Sequence, residues 1–368
     1  MLLGLSNVPR DYAWGSTTLI ADLEGRSPSG APEAEVWFGD HPGDPADLAD
    51  GRTLDAVTGG SLPYLLKILA AADPLSIQVH PTIAQARDGW AREAGLAADD
   101  PTRNYRDDNH KPELIVALSE RFEALGGLRP VADTLRLLDG LGDGAGVSAL
   151  RAHLTGEDGL KATIAWLLSG AADAEALEIS AALATSSASE FGDTLRAIRA
   201  VAERNPGDPG VVVALLMNHI VLRRGEGIFL RAGLLHAYLS GLGVEIMAAS
   251  DNVLRGGLTP KHIDVPELLS VLDATPGVVP VITPTAEPVT SYPVDVDDFA
   301  LRRVTLAGEP VRVEVTSPAM ILVTSGSVTV SGSDAQRHSV EVGGALFASD
   351  ESILTVTGTG EAFIAQPG

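Results

Sequence analysis

Residues 131–205 read as a helical block set inside a β-textured chain, and that interruption restricts the fold more than any other feature. Within the block Ala, Leu and Glu dominate, and apolar residues recur three and four apart, as at Val131, Leu135 and Leu138 or Ile164, Leu167 and Leu168. This is the period of helices with one buried stripe. Breaks at 140–146, at 155–158 and at Ser186 and Ser187 divide the block into about four helices that pack as one unit.

On either side the texture changes. Up to Pro130 the chain is rich in Gly and Pro, with short β-like runs at 75–80 and 114–118. After the turn-forming 206–210, further β-like runs at 228–230 and 244–247 are separated by Gly-containing turns. The run 211–222 is apolar, and its pattern does not choose between helix and strand. A second boundary falls at 275–293, where five prolines among Val and Thr suggest an extended linker. Beyond it, alternation at 311–315 and 328–330 suits a small sandwich or barrel. The expectation is a mainly β protein with an inserted α-helical domain: 1–130 plus 206–274 as one β domain, 131–205 as the insertion, and 275–368 as a second β unit.

The chain has 368 residues, 45% hydrophobic and 20% charged, enough for two or three packed cores. A net charge of −23 with no basic stripe argues against nucleic acid and anionic membranes as partners. No apolar run approaches the roughly 18 residues of a spanning helix, and the start of the chain lacks the charged region of an export signal, so a cytoplasmic location is expected. With no cysteine, any metal must be held by His, carboxylate or amide oxygen. The acidic field also opposes an anionic substrate, which would need a local basic cluster.

Three segments carry candidate ligands. In 75–81, alternation puts Leu75, Ile77 and Val79 on one face and Ser76, Gln78 and His80 on the other, and Pro81 ends the strand near a rim. Glu113 starts a strand after the loop residues His110 and Lys111. His236 and Tyr238 share a face in 233–239. Taken singly, each is an ordinary polar strand face or charged turn, and His41, His153, His219, His262 and His338 are given no metal role. Together, Gln78, His80, Glu113 and His236 form a nitrogen and oxygen set suited to zinc, with manganese or iron as alternatives. One glutamate against a divalent cation leaves about one positive charge, which favours an anionic intermediate. Arg255 and Lys261, on a loop with Gly256, Gly257 and Pro260, form the basic cluster, with Lys67 and Lys111 as additions.

These residues, with the stretches Tyr12-Ala13-Trp14-Gly15-Ser16, Glu35-Val36-Trp37-Phe38-Gly39-Asp40-His41-Pro42, Leu62-Pro63-Tyr64-Leu65-Leu66-Lys67, Gln78-Val79-His80-Pro81, Asn109-His110-Lys111-Pro112-Glu113 and the run 250–261, resemble type I phosphomannose isomerase. The resemblance runs in order from about residue 5 to 272. It implies two cupin-type jelly-roll β-sandwich domains, the first catalytic, with the helical domain inserted into it. It also implies one zinc ion per chain on Gln78, His80, Glu113 and His236, and interconversion of mannose 6-phosphate and fructose 6-phosphate by enediol proton transfer. Arg255 is the residue it marks most consistently as catalytic; it places Glu245 and Asp251 on the active-site wall.

On this reading Arg255 stabilises negative charge, and the proton-transfer base is His110, Lys111, Glu245 or Asp251; His110 alone has a suitable intrinsic pKa. Ser76, Lys67, Tyr238, Glu245, Asp251 and Lys261 are expected to bind a sugar phosphate. A monomer is expected. The C-terminal unit, with His338 its only histidine, is read as structural. Two rivals are a metal oxygenase using two histidines and a carboxylate, and a non-catalytic sugar-phosphate sensor. Gln78 with the basic cluster argues against the first, and the four-ligand set against the second.

Overall fold

The computed structural model describes residues 1–156, 159–186, 190–334 and 336–368. Glu157, Asp158 and Ser187, in two of the expected helix breaks, lie outside the described residues. The first part of the chain contains β1 (Leu2–Ser6), α1 (Leu19–Glu24), β2 (Glu35–Phe38), β3 (Asp47–Leu48), α2 (Asp55–Thr58), β4 (Tyr64–Ala71), β5 (Gln78–Val79), α3 (Ile83–Arg92), β6 (Glu113–Ala117) and β7 (Phe122–Leu128). Then come α4 (Val131–Asp139), α5 (Ala145–Thr155), α6 (Gly159–Leu168), α7 (Asp173–Thr185), α8 (Gly192–Arg204) and α9 (Gly210–Leu215). The chain returns to β8 (Met217–Leu222), β9 (Gly227–Leu230), β10 (His236–Ala248), β11 (Leu254–Arg255), α10 (Val265–Val271) and β12 (Val281–Ile282). It ends with β13 (Val289–Tyr292), β14 (Ala300–Ala307), β15 (Val311–Glu314), β16 (Ala319–Ser331), β17 (Arg337–Val340), β18 (Ala345–Ala348) and β19 (Ile353–Gln366).

The protein is mainly β, with two large antiparallel sheets and a helical block between β7 and β8. Among the described residues no helix is long and apolar enough to cross a membrane. The apolar run 211–222 divides at Leu216 into the buried helix α9 and the strand β8. The proline-rich 275–293 is not simply extended: β12 pairs with β9 and β13 with β14.

Alternation along the strands of the ten-stranded sheet explains how a cavity forms. In β4, Leu66, Ile68 and Ala70 enter a core shared with the C-terminal sheet, while Leu65, Lys67 and Leu69 line a cavity. The same division holds in β2, where Val36 and Phe38 face that core and Glu35 and Trp37 face the cavity. On the other side, Ile77, Val79 of β5, Leu125 of β7 and Leu254 of β11 join the helices α4–α9 in one core, leaving Gln78 and Arg255 to the cavity. One wall is therefore backed by helices and the other by a sheet, a layered arrangement in which each strand buries one face.

The strand β10 belongs to both walls. Its first residues pair with β5 and β7, and Gly241 to Ala248 pair with β4 and β6. The segment 241–243, expected to form a turn, lies inside this strand. Gly241 has φ +124°, and a Cβ there would lie 2.7 Å from Phe122, so the bend requires glycine. The bend is large enough that Tyr238 and Glu245 of one strand hydrogen-bond through their side chains at 2.8 Å, whereas seven residues of straight strand would separate them by roughly 23 Å.

The nine-stranded sheet runs β13-β14-β19-β16-β18-β1-β3, so two strands from the first 48 residues complete it. Tyr64 of β4 crosses to it, its hydroxyl donating to the carbonyls of Pro318 (3.1 Å) and Ala365 (3.2 Å).

Candidate active site

His80, Glu113 and His236 are all buried, and one potential ligand atom from each lies within 4.8 Å of the others. His80 Nε2 is 3.2 Å from Glu113 Oε1, and His236 Nε2 is 3.4 Å from Glu113 Oε2. Each imidazole is oriented through its other nitrogen: Nδ1 of His80 lies 2.7 Å from the carbonyl of Asn252, and Nδ1 of His236 lies 2.9 Å from that of Leu234. Donation from Nδ1 to these carbonyls leaves both Nε2 lone pairs toward the cluster, as in histidines that bind a metal. His80 Nε2 is buried without a hydrogen-bond partner, as an atom kept for a metal would be.

Gln78 stands beside the cluster by register. It pairs with His236 on β10, and Arg255 of β11 pairs with Gln78, so the three occupy one row across adjacent strands. The Gln78 amide nitrogen donates to Ser76 Oγ at 3.1 Å, which turns its carbonyl oxygen elsewhere. Burial pushes His80 down to about 4 despite Glu113, keeping it neutral as a ligand must be. Burial opposes ionisation of Glu113, but Lys111, at 3.2 Å, and His80 outweigh it and hold the carboxyl well below its ordinary value. Two imidazoles, an amide and a carboxylate fit a divalent cation such as zinc.

These residues open into a cavity of about 540 Å³ whose wall includes Ser76, Lys67, Lys111, Tyr238, Glu245, Asp251, Arg255 and Lys261. Glu245 is raised by burial, with Glu113 and Glu35 adding and Lys67 opposing. Tyr238, donating to it, is raised well above its ordinary value by burial and by Glu245. Burial alone would lower Lys67, yet Glu35, Glu245 and Glu113 outweigh it and keep the ammonium charged. At the rim, the partly exposed Asp251 meets His41 Nε2 at 3.1 Å.

Arg255 and Lys261 have cations for electrostatic neighbours. Arg255 is lowered by burial and by Arg106, and Lys261 by Arg255, then by burial and Arg106. Mutual repulsion of this kind marks a place for an anion. The loop that carries them is fixed: Gly256 N donates to Ile77 O at 2.8 Å, and Thr259 N to Asp208 Oδ2 at 3.0 Å. Gly257, at φ +128°, passes so near α9 that a Cβ would stand 2.4 Å from Gly210 Cα.

His110, expected as a catalytic base, is not brought to this wall. Its Nε2 lies 2.8 Å from Asp298 Oδ2, at the junction with the C-terminal strands, and it is absent from the cavity lining. Adjacent residues of an extended segment point to opposite sides, so Lys111 turning inward sends His110 outward.

Three residues given no individual role in the sequence reading matter here. Glu35 and Trp37 line the cavity, and their spacing on a strand was the available signal. Asn252, fully buried, ties His80 to the 106–109 loop; an Asn amid loop residues carries no such signal.

The family model described as phosphomannose isomerase type I, catalytic domain, matches residues 2–131. A mannose-6-phosphate isomerase of Salmonella typhimurium is 37% identical over 387 residues, covering 97% of each chain. One of Escherichia coli is 36% identical over 386 residues with the same coverage. A crystal structure of mannose 6-phosphate isomerase bound with zinc and yttrium shares 34% identity and a TM-score of 0.89, covering 100% of this chain and 99% of that one. With similarity sustained over nearly the whole length, and with the ligand cluster and basic loop in one cavity, the chain belongs to the type I phosphomannose isomerases, enzymes of the mannose-6-phosphate isomerase class.

Proposed function

We propose that this enzyme is a zinc-dependent aldose–ketose isomerase that interconverts D-mannose 6-phosphate and D-fructose 6-phosphate through an enediol. The observation that carries the reading is a buried His80–Glu113–His236 cluster with Gln78 beside it, opening into the same cavity as Arg255 and Lys261. One zinc ion per chain would be held by Gln78, His80, Glu113 and His236. When bound, it supplies a Lewis-acid charge that polarises sugar oxygens and favours negative charge.

The chain's own residues do the rest. Lys261 and Arg255 receive the phosphate end and offset negative charge on the enediolate, within a positive local field set against the protein's overall −23. Lys67, held as a cation, donates to a sugar oxygen, and Ser76 and Tyr238 shape the same wall. A proton must move between C1 and C2, and the cavity groups with the chemistry to carry it are Lys111, Glu245 and Asp251; His110 faces Asp298 instead.

The reading includes two cupin-type jelly rolls, a catalytic domain of 1–130 plus 206–274, a helical insertion of 131–205 and a supporting C-terminal unit of 275–368. It also takes the protein as a cytoplasmic monomer. The direct test is the initial rate of fructose 6-phosphate formation from mannose 6-phosphate before and after chelation. Loss on chelation and recovery with zinc is expected; an inactive protein with verified zinc loading would overturn the assignment.

A further inference from the structure

Glu35 is a carboxylate on the cavity wall that the chemistry above leaves without a task. It is 6% exposed, and its backbone is fixed by pairing of β2 with β4 and by Arg10 N donating to its carbonyl at 2.7 Å. One carboxylate oxygen is fully engaged: Oε2 accepts from Trp37 Nε1 at 2.6 Å and lies 3.7 Å from Lys67 Nζ. Those two partners are themselves immobilised. The Trp37 ring is flanked by the Arg10 guanidinium at 4.9 Å and the Lys67 ammonium at 5.2 Å, and Lys67 is 3.2 Å from Glu245. Pinning Oε2 fixes the plane of the group and hence the direction of Oε1. Among the described residues Oε1 accepts no hydrogen bond.

Oε1 faces the cavity rather than protein, so a ligand hydroxyl can donate to it in place of water. A phosphate would not, because two carboxylates, Glu35 and Glu245, flank a single ammonium at this place. The cavity is thus polarised along the strand connections β2–β4–β10–β5–β11. Among the described residues, cations without an acidic partner sit at the β11 end, and an acceptor that repels anions sits at the β2 end. A molecule with one anionic end and a hydroxyl-bearing body fits this in a single orientation.

We propose that Glu35 Oε1 accepts a hydrogen bond from a hydroxyl on C3 or C4 of the hexose phosphate, making Glu35 a specificity-determining residue that reads the sugar away from the reacting carbons. The assignment rests on the isomerase reading, with the phosphate toward Arg255 and Lys261. Glu35→Gln is the informative substitution: the Trp37 N–H requires an acceptor at the Oε2 position, so the amide nitrogen takes the place of Oε1 and presents a donor.

The experiment compares kcat/KM of wild type and Glu35→Gln on mannose 6-phosphate and on its 3-deoxy and 4-deoxy analogues. Glu35→Gln is expected to lose about 10- to 100-fold on the parent sugar, and for one deoxy analogue the two enzymes should agree within about threefold. Loss by the same factor on all three sugars, or no loss at all, overturns the proposal and leaves Glu35 as a support for Lys67. No turnover of mannose 6-phosphate by the zinc-loaded wild type would instead remove the isomerase reading, and this proposal with it. Trp37→Phe, which releases Oε2 without touching the carboxylate, is expected to weaken discrimination against the same deoxy analogue by at least about threefold; unchanged discrimination would also overturn the proposal.

Discussion

Asn252→Ala should loosen the metal site without removing any ligand. The Asn252 side chain is wholly buried. Its amide nitrogen donates to Asp107 O (2.9 Å), Asp107 Oδ1 (3.1 Å) and Asn109 O (2.8 Å), its oxygen accepts from Arg106 N (2.7 Å), and its backbone carbonyl receives His80 Nδ1. With a further bond from Asp107 N to the same oxygen at 3.3 Å, five side-chain bonds at about 1 kcal/mol each give an upper figure of about 5 kcal/mol on stability, roughly half that if water replaces half of them. The effect on the site is separate, because the substitution keeps the carbonyl that orients His80 but frees the segment holding it. Loss of an outer-shell partner typically costs 10–100-fold in metal affinity. Zinc affinity measured by competition with a chromophoric chelator, alongside the denaturant midpoint of the metal-free protein, reads the two effects independently. A variant that is destabilised yet binds zinc as tightly as wild type would refute the reasoning, since His80 would then be oriented by its own strand alone.

Three further outcomes follow from the geometry. His110→Ala should keep kcat within about threefold of wild type and cost under about 1 kcal/mol, because a partly exposed pair with Asp298 is all that it loses; steady-state kinetics and a denaturation curve check both. Gly257→Ala forces a Cβ against α9 at positive φ and displaces the loop of Arg255 and Lys261, so kcat/KM should fall by roughly 100-fold with zinc content unchanged, as metal analysis would verify. The hydrogen bond from His219 holds Glu123 down to about 2, against burial and with help from Arg121. A depressed carboxyl stabilises fully above its unfolded value of roughly 4.3, and that contribution is lost as pH falls toward about 2. The urea midpoint followed from pH 5 to pH 2.5 should therefore decline less in Glu123→Gln than in wild type, and parallel curves would contradict the assignment.

The β-rich frame was legible because alternation in 75–80 reports which face is buried and the short continuous apolar run 114–118 reads as a strand buried on both faces. Helical periodicity in 131–205 was equally plain; α4–α8 occupy that stretch, with α9 following at Gly210–Leu215. The strand β10 was not readable as one element, since its glycines signal turns in sequence whereas in space Gly241 bends a continuous strand. Ligand candidates were found because they sit on inward strand faces. His110 was misplaced because the inward or outward turn of a loop residue depends on Asp298, some 188 positions away. Glu35 acquires meaning only beside Lys67 and Trp37, a neighbourhood created by strand pairing.

The place of β1 has a consequence for how the protein is made. Its residues Leu2 to Leu5 pair with Ala345 to Ala348, so although Leu5 and Ser6 meet β3 early, the other edge of β1 waits for most of the chain before its partner exists. Until then that edge and the apolar Leu2 are open to other strands, and the long sequence separation slows this closure. Synthesis in the N-to-C direction therefore leaves a late capture step, in which the newly emerged β18 recruits a segment made long before it and closes the sheet between them.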